Sequence, residues 1–291
     1  MSYQLKLDTA IDFVAIKVKD IEAAISFYKS VLGLDLLREE NGMAFIGIKE
    51  QKKSLICLVE DLEGLPSETN HNGLFYFGLQ VPSRQALAEI YQHLLTIKYP
   101  IQTVSDLGFS EAIYLKDPEF NGIKVYWDKP QGEGKNRLTG TMDQIMQHLD
   151  TRELLAEAKE AFSHIPNDSR IGHVHLNVVD LDESQRFYES VLGLNLTSTA
   201  FPSLRYLAAG DNYQHITLNT FNHAEADDNR DENLGLDYIA FKVNTVEEIR
   251  ALNQHLSQLD VEYFYNKGKK IIQVDDPNGI HVWFHLYDFK K

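Results

Sequence analysis

Phe27-Tyr28-Lys29-Ser30-Val31-Leu32-Gly33-Leu34 recurs almost letter for letter as Phe187-Tyr188-Glu189-Ser190-Val191-Leu192-Gly193-Leu194, and no other feature limits the fold of this chain as strongly. Two more matches follow in the same order: GLFYFGLQV from Gly73 with GLDYIAFKV from Gly235, and GIKVYW from Gly122 with GIHVWF from Gly279. The three offsets are 160, 162 and 157 residues. Ordered matches at nearly constant spacing mark a tandem duplication of a domain of about 120 residues. The 291 residues therefore divide into a first domain, 1–128, a connector, 129–169, that matches neither copy, and a second domain, 170–291. The connector carries two short helical patterns, MDQIMQHL and RELLAEAKEAF, with Asp150 and Glu153 spaced as a capping box for the second.

Each domain also divides in half. Ile11–Val18 and Ile171–Val178 read as strands, each followed by an amphipathic helix. Asp20 or Asp180 caps that helix, the Phe-Tyr and Val-Leu pairs form its buried stripe, and Gly33 or Gly193 ends it. Phe75–Val81 and Tyr238–Val243 each open another strand–helix unit, closing on IKVYW and IHVWF. The order is strand, helix, then about three strands, four times over.

Composition removes several classes of function. With 28 Lys+Arg against 43 Asp+Glu, the net charge of −15 repels nucleic-acid phosphates and anionic lipid. One cysteine, Cys57, cannot form an intrachain disulfide and suits a reducing compartment. The N-terminal MSYQLKLDTA lacks an apolar signal core, so a cytoplasmic protein is expected, with a small molecule as partner and neither nucleic acid nor membrane. Dimerisation of two copies through the first domain is left open.

HVHLNVVDLDESQRFYESVLGL resembles the opening strand and helix of the vicinal oxygen chelate superfamily, which includes glyoxalase I, bleomycin-resistance proteins and extradiol dioxygenases. FSEAIYLKDPEFNGIKVYWDKP, with IGHVHL and YQHITLNTF, resembles its two-domain, catechol 2,3-dioxygenase-like branch. The resemblance covers nearly the whole chain. It implies an α+β fold of tandem domains, four βαβββ modules forming two cupped mixed sheets, each domain closing its own cup. For activity it implies a metal-dependent enzyme acting on a catechol-like or other vicinal-oxygen small molecule. One scaffold hosts several chemistries, so a non-enzymatic binding or sequestration protein and another metal-dependent isomerase or lyase stand as alternatives.

In such a cup alternate strand residues face the hollow. Parity then points His173, His175 and Asn177 inward on one strand, and His215, Thr217 and Asn219 on another. Tyr238 and Lys242, then His281, Trp283 and His285, follow on two more. The first domain has Phe13, Tyr76 and Lys124 at the key strand positions, with neither imidazole nor carboxylate, and its site reads as degenerate.

The resemblance places the first metal ligand on His173, seven residues before Asp180, and the facing ligand near His215. The third position, His in many members, is Tyr238. The fourth, usually Glu on the closing strand, is His281 if two loop residues are missing after Pro277, and Trp283 without that gap. His173, His215 and His281 are thus the expected ligands of a divalent ion. By resemblance the ion is Fe(II), and because imidazole discriminates poorly among first-row ions, Zn, Ni or Mn are alternatives. His175, Tyr238 and His285 are the expected catalytic groups, two imidazoles to move protons and a phenol at the rim. The missing Glu sets this chain apart from both the dioxygenase and the glyoxalase pattern.

Overall fold

The computed structural model describes residues 3–66, 72–130, 147–199, 201–221 and 232–286. Four βαβββ modules succeed one another. The first is β1 (Ala10–Val18), α1 (Ile21–Ser30), β2 (Asp35–Glu40), β3 (Met43–Ile48) and β4 (Lys53–Glu60). The second is β5 (Gly73–Gln80), α2 (Arg84–Thr96), β6 (Thr103–Asp106), β7 (Ser110–Lys116) and β8 (Gly122–Asp128). After β9 (Gln147–His148) and α3 (Thr151–Ala156) comes the third: β10 (Arg170–Asn177), α4 (Leu181–Arg186), β11 (Asn195–Ser198), β12 (Leu204–Ala208) and β13 (Ile216–Asn219). The fourth is β14 (Gly235–Val243), α5 (Val246–Leu256), β15 (Tyr263–Asn266), β16 (Ile271–Asp275) and β17 (His281–Leu286). The fold is α+β, with its strands in two mixed sheets.

The chain forms two compact units, one of Met1–Lys17, Glu63–Phe75 and Gly172–Lys291, the other of Val18–Leu62 and Tyr76–Ile171. In the first unit the strands run β15-β16-β17-β14-β1 in one sheet and β11-β12-β13-β10 in the other. β14 and β17 are parallel, as are β10 and β13, while β1 lies antiparallel to β14. The second unit holds β4-β3-β2 and β5-β8-β7-β6-β9, with β5 and β8 parallel. The opening strand of the first repeat therefore pairs with the fourth module, where the resemblance implies a cup closed within each repeat. Both strands present a buried apolar face (Val14 and Ile16; Ile239 and Phe241), and such faces accept more than one partner strand.

The two repeat helices show how local sequence builds the modules. Asp20 accepts a hydrogen bond from the Ala23 amide at 2.9 Å, and Asp180 accepts from Asp182 and Glu183 at 2.8 Å each. Gly33 and Gly193 then take φ of +64° and +81°. A Cβ there would lie 2.7 Å from the Phe162 ring and 2.7 Å from the Tyr3 ring, respectively, so glycine is required twice over. The second copy differs in that Phe187–Val191 forms a π-helical turn after α4, where the first copy stays α-helical.

These glycines also correct the reading of the connector. Leu5 donates to the Gly193 carbonyl at 2.9 Å, and Ile165 donates to the Gly33 carbonyl at 3.0 Å. Tyr3 stacks on His255 at 4.6 Å, as Phe162 packs on His93 at 5.0 Å. The end of the connector is therefore a second copy of the N-terminal lead, although their side chains barely match. The second helical pattern forms only α3, capped by Asp150 as expected and held to Arg84 through Glu153 at 3.0 Å. Most of the first, MDQIMQHL, lies outside the described residues, and its Gln147–His148 is a strand against β6.

Behind each helix sits a buried carboxylate. Tyr188 donates to Asp276 at 3.2 Å and Tyr28 to Asp117 at 3.0 Å. The other oxygen of Asp276 accepts the Asn278 and Ile280 amides, and that of Asp117 accepts the Glu119 and Asn121 amides. Each carboxylate thus organises the turn that leads into β17 or β8.

Candidate functional site

Two polar surfaces of the first unit hold the histidines singled out by parity. On β10 and β13 the register pairs His175 with Thr217 and Asn177 with Asn219. His173, His175 and Asn177 thereby share one face with His215, Thr217 and Asn219. His173 is 1% exposed, His175 4% and His215 5%, so these imidazoles are structurally fixed rather than solvated. Gln214 reaches Nδ1 of His173 at 3.2 Å and accepts the Thr217 hydroxyl at 3.3 Å. The Ala209 amide donates to Nδ1 of His215 at 3.1 Å. His175 is packed edge-on by Phe75 at 5.0 Å, with Phe221 at 6.2 Å. Both phenylalanines are more than a third exposed, which gives the imidazole face an apolar rim.

The second surface lies on β1, β14 and β17, in the other sheet. Tyr238 opposes His281, Ala240 opposes Trp283 and Lys242 opposes His285. Tyr238 and Trp283 stack flat at 3.9 Å and 9°, each covering the other's face. Phe13 closes against Tyr238 at 5.8 Å and His285 at 6.0 Å. His285 Nε2 lies 3.3 Å from Asp12, an ion pair when the ring is protonated. His281 Nδ1 meets Asp275 at 2.6 Å, and Lys17 pairs with Asp237 at 3.6 Å.

The structure thus gathers His173, His175 and His215 on one sheet, and Tyr238, His281 and His285 on the other. The three imidazoles expected around a metal are divided between them. Among the described residues, no group of three or more His, Cys, Asp or Glu side chains is placed to hold a metal ion. His215 adds a chemical obstacle, because its Nδ1 accepts a backbone amide. The proton of the neutral ring then sits on Nε2, leaving no lone pair for a cation.

The two-residue gap that brought His281 to the fourth ligand position is also absent. Asp117 and Asp276 receive the same backbone bonds at the same spacing: Asn121 and Ile280 both stand four residues on. Lys116 pairs with Gly122 and Asp275 with His281, so the two hairpins are equal in length. Lys124 opposes Gly78 as Trp283 opposes Ala240. Trp283 is therefore the counterpart of Lys124, and His281 that of Gly122. The NGIKV and NGIHV letters match two residues out of register with the backbone.

Sequence reasoning missed Asp12, Asp275, Phe75 and Phe221, and saw Gln214 only as a departure from a His-rich segment. Asp12 reaches His285 because β1 shifts register between Ile11 and Phe13, and simple alternation hides such a bulge.

A family model described as Glyoxalase/Bleomycin resistance protein/Dioxygenase superfamily matches residues 10–125 and 170–289. A curated protein named Catechol-2,3-dioxygenase, from Bacillus subtilis (strain 168), is 30% identical over 286 residues, covering 95% of this chain and 97% of that one. Among solved structures, glyoxalase I from Zea mays matches with a TM-score of 0.62 at 16% identity, over 96% of this chain and 92% of that chain. The cppA protein from Streptococcus pneumoniae TIGR4 matches with a TM-score of 0.60 at 15% identity, over 98% and 100%. These two establish likeness of fold. Among the described residues, no helix is long and apolar enough to cross a membrane.

Proposed function

Because this chain belongs to the glyoxalase/bleomycin resistance protein/dioxygenase superfamily, we propose that it takes up a catechol-like molecule, or another small compound with two neighbouring oxygens, on the imidazole face of β10 and β13. The observation that carries this reading is the part-buried His173–Gln214–Thr217 network beside His175 and its phenylalanine rim. His173 and His175 offer hydrogen bonds to two adjacent oxygens, Phe75 and Phe221 offer apolar surface to a ring, and Gln214 holds the His173 ring in place. Such a set would bind or sequester the molecule through hydrogen bonds and packing alone.

The second reading is a metal-dependent ring-cleaving dioxygenase. It is favoured by the 30% identity, along nearly the whole chain, to the protein named Catechol-2,3-dioxygenase. In it, His173, His215 and His281 are the proposed ligands of a divalent ion, Fe(II) by resemblance with Zn, Ni or Mn as substitutes. Such an ion would polarise vicinal hydroxyls and activate oxygen. His175, Tyr238 and His285 are then the proposed proton-handling groups. The Ala209 amide donated to Nδ1 of His215 weighs against it.

One experiment separates the readings. The protein is purified anaerobically, analysed for metal with and without Fe(II) loading, and titrated with catechol before oxygen is admitted. Catechol binding at one equivalent to metal-free protein, lost in His173→Ala, supports the binding reading. Stoichiometric metal and a yellow ring-opened product, both lost in His173→Ala, would replace it with the second. Absence of both binding and product refutes the two together.

A further inference from the structure

The second unit contains a lysine where the sequence suggested a silent site. Lys124 lies on β8 and is 2% exposed, among the most buried long side chains of the molecule. The strand register sets Gly78 of β5 on one side of it and Tyr114 of β7 on the other. Its ammonium sits 4.8 Å from the ring centre of Tyr126 and 5.8 Å from that of Tyr76. Tyr76 and Tyr114 meet edge to face at 5.6 Å. Among the described residues, no hydrogen bond or ion pair of the Lys124 ammonium is seen; Tyr76 and Tyr126 flank it, and the Asp128 carboxylate acts on it from beyond ion-pair distance.

Burying an ammonium with rings as its nearest partners is costly. Cation–π attraction recovers only part of the lost hydration, and the unmet donors call for an oxygen acceptor. We propose that Lys124 is the anchoring cation of a binding site for a small flat monoanion, a carboxylate or phenolate carried on an aromatic ring, on the face shared by β5, β8 and β7.

Three features set the class of ligand. One ammonium in a chain of net charge −15 balances a single negative charge, which disfavours phosphate dianions. Gly78 places no side chain beside Lys124, and Tyr76, Tyr114 and Tyr126 offer ring edges and faces to an aromatic body. The protonation states are also suitable. Burial pulls the Lys124 amine down to about 8, with Asp128 pushing it back up, so the cation still predominates at neutral pH. Burial lifts the Tyr114 phenol to about 12, which keeps it neutral and removes a competing negative charge. A ligand oxyanion would therefore be the first negative group within bonding reach of this ammonium.

The test is calorimetric titration of the full chain with benzoate, with 4-nitrophenolate, and with neutral benzamide. One-to-one binding of benzoate or 4-nitrophenolate is expected, with the stronger of the two identifying carboxylate or phenolate as the preferred group. Benzamide should bind at least roughly tenfold more weakly than benzoate. Lys124→Met should weaken anion binding roughly ten- to a hundredfold, because it removes a charged hydrogen-bond donor. Lys124→Arg should retain most of the affinity, and Lys269→Met, which alters an exposed lysine, all of it. Without ligand, Lys124→Met should melt above the wild type, since an unpaired buried charge is replaced by an apolar chain of similar length. Equal affinity of the wild type for benzoate and benzamide would overturn the proposal, whether or not the variants fold. So would unchanged binding by Lys124→Met, or no binding of either anion.

Discussion

Asp276 is a buried carboxylate that folding holds against its preference for water, and its pH dependence can be worked out in advance. It is 5% exposed, and burial lifts its carboxyl from the ordinary 3.8 to about 6, even though the Asn278 and Ile280 amides, the Asn278 side chain and the Tyr188 hydroxyl all favour the anion. The folded chain therefore binds a proton at a pH where the unfolded chain has released it. Stability from this group is full below about 3.8 and is lost as pH rises through about 6. A displacement of roughly two units corresponds to about 3 kcal/mol at 1.36 kcal/mol per unit. Asp276→Asn removes the ionisation while leaving an oxygen to accept the two turn amides. Urea unfolding, followed by tryptophan fluorescence at a series of pH values between about 4 and 7.5, gives the stability of both proteins. Subtracting the variant from the wild type cancels every other titrating group. The difference should fall by about 3 kcal/mol as pH rises across the window, then stay flat. Parallel curves, or a wild type that gains on the variant as pH rises, would refute the assignment of a protonated buried Asp276. Asp117, raised by burial in the equivalent place, should show the same sign in Asp117→Asn.

Two further expectations test the geometry elsewhere. Gly193→Ala should cost about 1–2 kcal/mol in urea unfolding, from the positive φ together with the 2.7 Å approach of Tyr3, and part of that cost should disappear in a Tyr3→Ala background. An equal cost in both backgrounds would mean that the close approach contributes nothing. His281→Ala should leave catechol affinity within about twofold of the wild type, whereas His173→Ala abolishes binding, because His281 stands on the other sheet against Asp275. A loss on His281→Ala as complete as that on His173→Ala would return His281 to the same site.

What the sequence could disclose follows from which interactions are local. Helix caps at Asp20 and Asp180, the stop at Gly33 and Gly193, and the alternation along β10 and β14 are each decided within a few residues, and those readings agree with the structure. The repeat of the N-terminal lead was hidden because backbone atoms carry its equivalence. Leu5 and Ile165 donate the same amide bond to the two glycines, and an amide leaves no trace in residue identity. The pairing of β1 with β14 was hidden for a related reason, since two apolar strands of like pattern offer the same edge to any partner and the choice is made by distant parts of the chain. The slip at β17 is more instructive, because there the letters pointed the wrong way. Asn-Gly-Ile occurs in both turns and invites an alignment with a gap, while the buried Asp of each turn fixes the backbone at equal length. That two-residue shift moves an imidazole out of the family's ligand position and a tryptophan into it. The indole then stacks on Tyr238, so the fourth module carries an aromatic pair at positions where the resemblance anticipates metal ligands. In the second module the corresponding position holds Lys124 among tyrosines. Both replacements exchange groups that bind a cation for groups that bind rings or anions, and this shared direction is the physical reason to look for organic ligands on this scaffold before metals.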